Sequence, residues 1–257
     1  MRENGSTFFI PPELARGVRF HLTSSQPCPY LPDQRERKVF ANLAVNSAVE
    51  LNDCLTRVGF RRSQIIAYRP ACAACNACKS VRIDVKNFKW SKRWRRAEKR
   101  NEDLRRVPQR TSATREQFRL LKRYLTSRHE DGGMNEMEMR DYIGMVDASP
   151  VRTVVFEYRT EPQYASDEGE LKAAALTDVL RDGLSMVYSF YDPDEIKRGM
   201  GAYMILNHVR LAAELDLPYV YLGYWVKGSD KMDYKAAYKP LEVCDGETWR
   251  PLLDEEC

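Results

Sequence analysis

The strongest constraint on the fold is a strand–loop–helix–strand unit between residues 184 and 226. Residues 184–191 alternate in polarity and are rich in aromatic and β-branched side chains, which predicts a strand that stops at Asp192-Pro193. Apolar residues then recur at helical spacing, and residues 219–226 follow as a second strand. Because a crossover of this length permits parallel pairing, the unit predicts an α/β fold.

Two glycines, Gly199 and Gly201, stand just before this helix. A glycine turn at a helix N-terminus leaves backbone N–H groups free to hold an anion. The segment 198–203 is similar to the pyrophosphate-binding turn of the acetyl-CoA-dependent N-acetyltransferase fold, except that Tyr203 stands where that turn has a small residue. The resemblance implies that fold without coenzyme A as donor. The alternative is an ordinary βαβ unit with a tight turn.

Length and composition indicate a globular protein of one large or two small domains, since 257 residues with 43% apolar side chains can bury a core. The net charge of +4 is small, so a basic function requires a local patch. No run of about 18 apolar residues is present, which predicts no membrane span. Pro11-Pro12 interrupts the N-terminal apolar residues, so we expect no signal peptide and a soluble, cytoplasmic protein.

The remaining pattern predicts two parts: a cysteine-bearing N-terminal α/β module, residues 1–110, and a C-terminal N-acetyltransferase-like domain, residues 111–257. Asp33 is positioned to cap the first helix. The predicted helices are 33–58, 114–127 and 136–146, the further strands are 64–68, 80–85, 151–159 and 171–180, and the acidic tail to residue 257 is expected to be loose.

Residues 86–110 are rich in Lys and Arg, with Phe88, Trp90 and Trp94 between them. Cations neutralise phosphates and aromatic rings stack on bases, so this basic stretch predicts a nucleic-acid contact. The alternative is a solvated helix. The candidate phosphate-binding residues are Arg95, Arg96, Lys99 and Arg100.

Seven cysteines include Cys72, Cys75 and Cys78, which form two overlapping C-x-x-C spacings. With Cys28 they provide four thiolates, the number that suits tetrahedral zinc or an iron–sulfur cluster. Buried free thiols without metal are the alternative.

Several motifs occur in order along nearly the whole chain. They are Cys28-Pro-Tyr-Leu31, Gly59-Phe-Arg-Arg-Ser63, Tyr68-Arg-Pro-x-Cys72-x-x-Cys75-x-x-Cys78, Arg128-His-x-Asp-Gly132, Phe190-Tyr-Asp-Pro193, Leu217-Pro-Tyr-x-Tyr-Leu-Gly-Tyr224 and Lys231-Met-x-Tyr-Lys235. Together they resemble the aminoacyl-tRNA–protein transferases of the N-degron pathway, and the bacterial leucyltransferase branch more than the eukaryotic arginyltransferases. The resemblance implies transfer of leucine from leucyl-tRNA to proteins that begin with Asp or Glu.

In that reaction the donor ester is already activated, so the enzyme must position two substrates, deprotonate the acceptor amine and stabilise an oxyanion. No cofactor is required for the transfer. An acceptor carboxylate needs a cation, and the candidates are Arg61, Arg62 and Arg69. The candidate proton acceptors are His129 beside Asp131, and Asp192.

The further candidate residues for aminoacyl-tRNA follow the predicted βαβ strands or lie within that unit. They are Arg198, Gly201, Tyr221, Lys231, Tyr234 and Lys235, the last three for the 3′-terminal phosphates and ribose. Three other functions remain open from the sequence: arginyl transfer, a non-catalytic RNA-binding protein held by a metal, and a small-molecule acetyltransferase. The oligomeric state is not indicated.

Overall fold

A computed structural model describes residues 11, 14, 18–128, 136–165, 167–246 and 248–256. These residues form an α/β structure with one large mixed sheet and one small antiparallel sheet. The strands in chain order are β1 (Phe20–Leu22), β2 (Gln26–Pro27), β3 (Arg35–Glu36), β4 (Lys38–Asn42), β5 (Arg61–Ser63), β6 (Ile66–Pro70), β7 (Lys79–Asp84), β8 (Leu104–Gln109), β9 (Thr153–Thr160), β10 (Leu171–Val179), β11 (Gly183–Tyr191), β12 (Tyr219–Trp225), β13 (Leu241–Asp245) and β14 (Thr248–Pro251).

The large sheet has eight strands in the order β14-β13-β7-β12-β11-β10-β9-β8. Its central pair, β11 and β12, is parallel, and its other neighbouring pairs are antiparallel. β10 is buried along almost its entire length. Such a strand requires cover on both faces of the sheet, which explains its near-continuous apolar composition.

Helices cover both faces of the large sheet. Four of them are α2 (Lys92–Lys99), α3 (Arg115–Arg128), α4 (Met139–Val146) and α5 (Met200–Glu214). Side chains of α2 and α5 belong to one apolar core, and side chains of α3 and α4 belong to another. Within the described ranges, no helix is both long enough and apolar enough to span a membrane.

The small sheet has the order β1-β4-β6-β5 and packs with α1 (Ala48–Arg57) around a separate apolar core. Buried polar contacts join it to the large sheet. Arg62 pairs with Asp178 of β10, and the Tyr224 hydroxyl lies 2.9 Å from the carbonyl oxygen of Tyr68. The proposed boundary at residue 110 does not separate the two sheets, since β7 and β8 both belong to the large one.

The predicted βαβ unit is confirmed: β11, α5 and β12 occur in that order, with β11 and β12 parallel. The predicted strands 151–159 and 171–180 and the helices 114–127 and 136–146 correspond to β9, β10, α3 and α4, with small differences at their ends.

Two predicted elements are wrong. The helix predicted over residues 33–58 begins only at Ala48, and Lys38–Asn42 is a strand paired with β6. Asp33 has φ 59° and lies in a turn, so it caps no helix. The C-terminal tail is not loose, because Leu241–Asp245 pairs with β7 and with β14.

The fully buried His208 links α5 to β10 and should make stability depend on pH. Its Nδ1 lies 2.7 Å from the Met204 carbonyl oxygen, and its Nε2 lies 2.8 Å from Thr177 Oγ1. Burial lowers the pKa of His208 to about 4. The unfolded histidine has a pKa of about 6.5 and binds more protons below it, so His208 should remove about 3 kcal/mol of unfolding free energy between about pH 6.5 and pH 4.

Urea unfolding between pH 7 and pH 4 measures this effect. The native protein should lose stability more steeply than His208→Gln, because glutamine has no proton to gain. Equal pH dependence in the two proteins would show that His208 does not cause the loss.

Candidate active site

The two parallel strands β11 and β12 are paired only at their first three residues. Their pairing covers Gly183–Ser185 against Tyr219–Tyr221, and both strands then continue. We call the opening between residues 186–191 and 222–225 the β11–β12 cleft. Separated parallel strands expose backbone groups at the carboxyl ends, where open α/β sheets bind ligands.

Arg61 of β5 enters this cleft from the small sheet. Its Nη2 donates a hydrogen bond to the Val187 carbonyl oxygen of β11, and its guanidinium lies against Gly223 of β12. The described residues contain no carboxylate in an ion pair with Arg61. A partly exposed cation without a counter-ion is suited to bind a carboxylate from a ligand.

Gly223 keeps Arg61 in place, and Gly223→Ala should displace it. A Cβ at Gly223, where φ is +73°, would overlap Nη1 of Arg61. Gly228 is a matched control, because its φ is +72° and a Cβ there meets nothing within 4 Å. Both variants carry similar backbone strain. We expect Gly223→Ala to lower kcat/KM for the acceptor about tenfold or more, whereas Gly228→Ala keeps near-native kcat/KM. Equal losses would assign the effect to backbone strain.

Aromatic side chains surround the cleft on the side of α3. Tyr191, at the end of β11, accepts a hydrogen bond from Arg128, and its ring centroid lies 5.0 Å from that of Tyr124. Tyr234 follows β12 and is 51% exposed. Burial of part of its side chain raises the pKa of Tyr234, and the Arg61 charge opposes this rise.

Lys235 lies beneath this aromatic group and is 3% exposed. Its Nζ donates a hydrogen bond to the Tyr224 carbonyl oxygen and lies 3.3 Å from Met232 Sδ. This position removes Lys235 from the predicted phosphate-binding residues, because a buried ammonium group cannot reach a solvated tRNA backbone. Lys231, in the same segment, is exposed and keeps that predicted role.

The four cysteines Cys28, Cys72, Cys75 and Cys78 line one cavity of about 360 Å³, which we call the cysteine cavity. The cysteine cavity adjoins the β11–β12 cleft, because Tyr224 belongs to the cleft and also lines the cavity. The Tyr224 carbonyl oxygen accepts the hydrogen bond from Lys235. Burial first, and then the three other thiols, raise the pKa of Cys78 to about 12. The described cysteines are free thiols.

The metal site predicted for these cysteines is not formed by the side chains as they lie. Within the described ranges, no group of three or more His, Cys, Asp or Glu side chains could share a metal ion. The four cysteines line one cavity, and metal binding there stays a prediction.

Arg69 also lines the cysteine cavity. Its guanidinium carbon lies 5.1 Å from the centroid of the Phe60 ring, and its Nη1 donates to the Val58 carbonyl oxygen at 3.4 Å. Among the described residues no ion pair includes Arg69, so it stays a candidate for the acceptor carboxylate beside Arg61.

The structure removes Arg62 from these candidates. Its Nε and Nη2 donate to the two carboxylate oxygens of Asp178 at 2.6 and 2.7 Å, and both side chains are buried. Asp192 is likewise occupied: it is buried, accepts from Arg123 at 2.8 Å and caps the turn at Asp194 N. This pairing argues against Asp192 as the proton acceptor. His129 and Asp131 lie outside the described residues.

The basic stretch presents its cations on the exposed face of α2 and at the C-terminal cap of that helix. Arg95, Arg96, Lys99 and Arg100 are exposed, and the described carboxylates form no ion pair with them. Glu98 instead pairs with Arg210. The arrangement leaves a surface of positive charge, as a phosphate contact requires.

Two of the three aromatic residues predicted to stack on bases are not accessible for that role. Phe88 and Trp94 are buried, and the Trp94 ring stacks on Tyr238 with centroids 4.6 Å apart. Trp90 is covered by Arg210, whose guanidinium lies 3.7 Å from its centroid. Phe88 and Trp94 therefore belong to the core beneath α2, Trp90 is partly exposed, and the cations face solvent.

Replacing Arg95, Arg96, Lys99 and Arg100 with Ala should weaken tRNA binding and reduce its salt dependence. If each residue neutralises one phosphate, the slope of log K against log salt should decrease by about 0.7–0.9 per residue. Arg115→Ala/Arg119→Ala is the control, because both arginines are exposed on a different helix. An unchanged slope in the fourfold variant would show that this helix face is merely solvated.

Three further candidates for tRNA contact differ in accessibility. Tyr221 is buried, and its hydroxyl donates to Asp182 at 3.1 Å, which removes it from a direct contact. Arg198 is paired with Asp103, within the basic stretch. Gly201 is partly exposed in the first turn of α5, where the turn begins with Gly199 at φ 70°.

Comparison with known proteins identifies the family. Residues 26–96 match the family model described as "Arginine-tRNA-protein transferase, N terminus". Residues 116–245 match the family model described as "Arginine-tRNA-protein transferase, C terminus". The chain belongs to the arginine-tRNA-protein transferase family. The aspartate/glutamate leucyltransferase of Hyphomonas neptunium is 56% identical over 96% of this chain and 97% of its own length. That of Phenylobacterium zucineum is 54% identical over 91% of both chains.

Among solved structures, L-PGS from Bacillus licheniformis aligns with a TM-score of 0.47 and 16% identity, over 68% of this chain and 58% of that chain. This likeness is too distant to define the fold or the function. Membership of the arginine-tRNA-protein transferase family therefore rests on the sequence matches, and the geometry of the site rests on the contacts of this chain.

Sequence reasoning missed two residues of the candidate site in this transferase. Gly223 lies within the quoted motif 217–224, but nothing in the sequence indicates that Arg61 packs against it. Tyr191 lies within the motif 190–193, where its hydroxyl accepts from Arg128. The motifs could have indicated both residues, since Gly223 and Tyr191 fall within segments that carry the family resemblance.

Proposed function

We propose that this chain transfers leucine from leucyl-tRNA to the N-terminal Asp or Glu of acceptor proteins and that the reaction takes place in the β11–β12 cleft. Family membership supports the aminoacyl transfer, and the relatives above carry the name aspartate/glutamate leucyltransferase. The single structural observation that supports the site is Arg61, a cation in the cleft without a described counter-ion. The acceptor then carries a new N-terminal leucine, a destabilising residue of the N-degron pathway.

The acceptor presents an α-amine and a carboxylate that are one side chain apart. Arg61 can hold the carboxylate by a charge-assisted, bidentate contact, which fixes the amine near the cleft. The amine nitrogen attacks the ester carbonyl carbon of the donor, a C–N bond forms, and the C–O bond to the ribose breaks. The chain's own contribution is to position the two substrates and to hold the developing charge.

The donor reaches the cleft along a basic surface in this proposal. The exposed cations of α2 neutralise phosphates of the tRNA, and the exposed residues Lys231 and Tyr234, which follow β12 in the chain, bind the 3′-terminal nucleotide. A separation of parallel strands at an acyl-transfer site also agrees with the N-acetyltransferase-like architecture that we propose for the large sheet.

The surroundings of the cleft favour leucine over arginine as the donor's amino acid. An arginyl side chain needs a free carboxylate, whereas leucine needs apolar surface. The described side chains at the end of β11 are aromatic, and the nearby Asp192 is already paired with Arg123 and lies 3.8 Å from Lys172. At the end of β11, the carboxylates of Asp192 and Asp194 are both paired with Arg123 and are not free for an arginyl side chain.

A transfer assay tests this proposal. The purified protein is incubated with an Asp-starting peptide and with either leucyl-tRNA or arginyl-tRNA, each labelled on its amino acid. Mass spectrometry of the peptide should show the addition of one leucine at the N-terminus and little addition of arginine. Peptides that start with Glu should react, and those that start with Asn, Gln or Ala should react poorly. Arginyl transfer alone would assign the runner-up donor, and no transfer from either tRNA would contradict the proposal.

A further inference from the structure

Lys235 is a buried lysine without a counter-ion. It is 3% exposed, and no described carboxylate forms an ion pair with it. Leaving an ammonium group buried and unpaired costs several kcal/mol, so a lysine in this position loses its proton more readily than one at the surface. The role suggested for Lys235 by sequence alone, contact with a phosphate, requires the opposite: an exposed, permanent charge.

Charged and titratable groups approach Lys235 from several elements. Arg61 of β5 approaches from the small sheet, Tyr234 lies with its ring centroid 5.8 Å from Nζ, and Cys78 lies on the side of the cysteine cavity. Burial first, and then the Arg61 charge, lower the pKa of Lys235 well below its usual value, while Cys78 opposes this. The Cys78 thiol has a pKa of about 12 and is therefore uncharged near neutral pH.

The hydrogen bonds of Lys235 leave room for one proton. A neutral amine has two N–H groups and one lone pair. Two acceptors lie within reach of Nζ, the Tyr224 carbonyl oxygen and Met232 Sδ at 3.3 Å. These account for both N–H groups, so the lone pair of the neutral amine remains available.

We propose that Lys235 is a catalytic residue that accepts the proton from the α-ammonium group of the acceptor while Arg61 holds the acceptor's carboxylate. The inference rests on the proposed function and deepens it, because it assigns the deprotonation step to this chain. The Arg61 guanidinium lies against Gly223, and Lys235 Nζ donates to the carbonyl oxygen of the next residue, Tyr224, so both side chains meet the same part of β12. In this proposal, a carboxylate held at Arg61 directs the acceptor's N-terminus toward Lys235.

The protons balance over the reaction. The α-ammonium group starts with three hydrogens, and one passes to Lys235 Nζ to give a free amine and an ammonium on Lys235. The amine attacks the leucyl ester, the new amide keeps one hydrogen, and the last goes to the ribose oxygen as the C–O bond breaks. Lys235 returns its proton to solvent before the next turnover.

The pH dependence of Lys235→Met distinguishes proton transfer from a structural role. An acceptor α-amine has a pKa of about 7.7–8.0, so above this range it is neutral in solution and needs no base. The loss of kcat/KM should be largest at about pH 6 and should shrink by about tenfold or more by pH 8.5. Lys235→Arg should lose as much at low pH, because arginine stays protonated.

Lys227→Met is the matched control, since Lys227 is exposed in the preceding turn and should show no pH-dependent loss. The same fold-loss of Lys235→Met at every pH would overturn the inference, while native transfer would keep the proposed function. No transfer by the native protein at any pH would instead contradict the proposed function. If Lys235→Met does not fold, NMR titration of Nζ in the native protein decides: an ammonium that persists above pH 9 overturns the inference, and a neutral amine near pH 7 supports it.

Discussion

Replacing Arg61 with Gln should lower kcat/KM for an Asp-starting peptide by about ten- to a hundred-fold, because one charge-assisted contact contributes about 1.5–3 kcal/mol. The KM for leucyl-tRNA should change little, since Arg61 contacts Val187 and Gly223 rather than the basic surface. Steady-state kinetics with each substrate varied in turn separates the two effects.

The choice between Asp and Asn at the acceptor's N-terminus is the sharper readout for Arg61. Asn has the shape of Asp without its charge, so the native protein should prefer Asp strongly and Arg61→Gln should lose most of that preference. Arg69→Gln is the matched comparison, because Arg69 lines the adjoining cysteine cavity. If both variants keep the native preference, the selecting cation lies elsewhere.

Replacing Arg62 with Met should destabilise the protein by about 3–5 kcal/mol, because it leaves the Asp178 carboxylate buried without its cation. Arg62 and Asp178 are 3% and 1% exposed, and two hydrogen bonds of 2.6 and 2.7 Å join them. The pair also connects β5 to β10, so the variant should loosen the small sheet. Urea unfolding at neutral pH measures the change.

A double variant provides the control for this prediction. In Arg62→Met/Asp178→Leu no charge remains buried, so much of the lost stability should return. Thr153 Oγ1, which lies 2.8 Å from the Asp178 carboxylate, then loses a partner and limits the recovery. A loss below about 1 kcal/mol in Arg62→Met would show that solvent reaches Asp178.

The neighbouring residues Arg61 and Arg62 show what a sequence can and cannot reveal. Side chains alternate across a strand, so the two arginines of β5 point to opposite faces. One face meets the β11–β12 cleft and the other meets Asp178 of β10. The sequence indicates two cations beside each other, but the packing of β5 against the large sheet decides which of them is paired.

The central βαβ unit could be predicted because its local pattern and its tertiary environment agree. β11 alternates, α5 has helical periodicity, and Pro218 separates α5 from β12. The helix predicted over residues 33–58 failed because tertiary pairing overrode local pattern. Residues 38–42 pair with β6, and the spacing of apolar residues along the sequence does not reveal this long-range contact.

The basic stretch and the buried lysine show the same limit for functional residues. The sequence indicated that aromatic rings and cations alternate in residues 86–110, but Trp94 packs on Tyr238, whose position depends on the C-terminal segment. Lys235 likewise appears as a polar residue of a tyrosine-rich loop, and only the folded chain shows its burial. Distant segments determine both environments.

Photo-crosslinking tests most directly the claim that the acceptor binds in the β11–β12 cleft. An Asp-starting peptide with a photoreactive second residue is irradiated with the protein and a tRNA that carries leucine through a stable amide bond. Cross-links should map to residues 186–191 and 222–235, and an Asn-starting peptide should reduce them. Asp-dependent cross-links confined to other segments would contradict the assignment of this cleft.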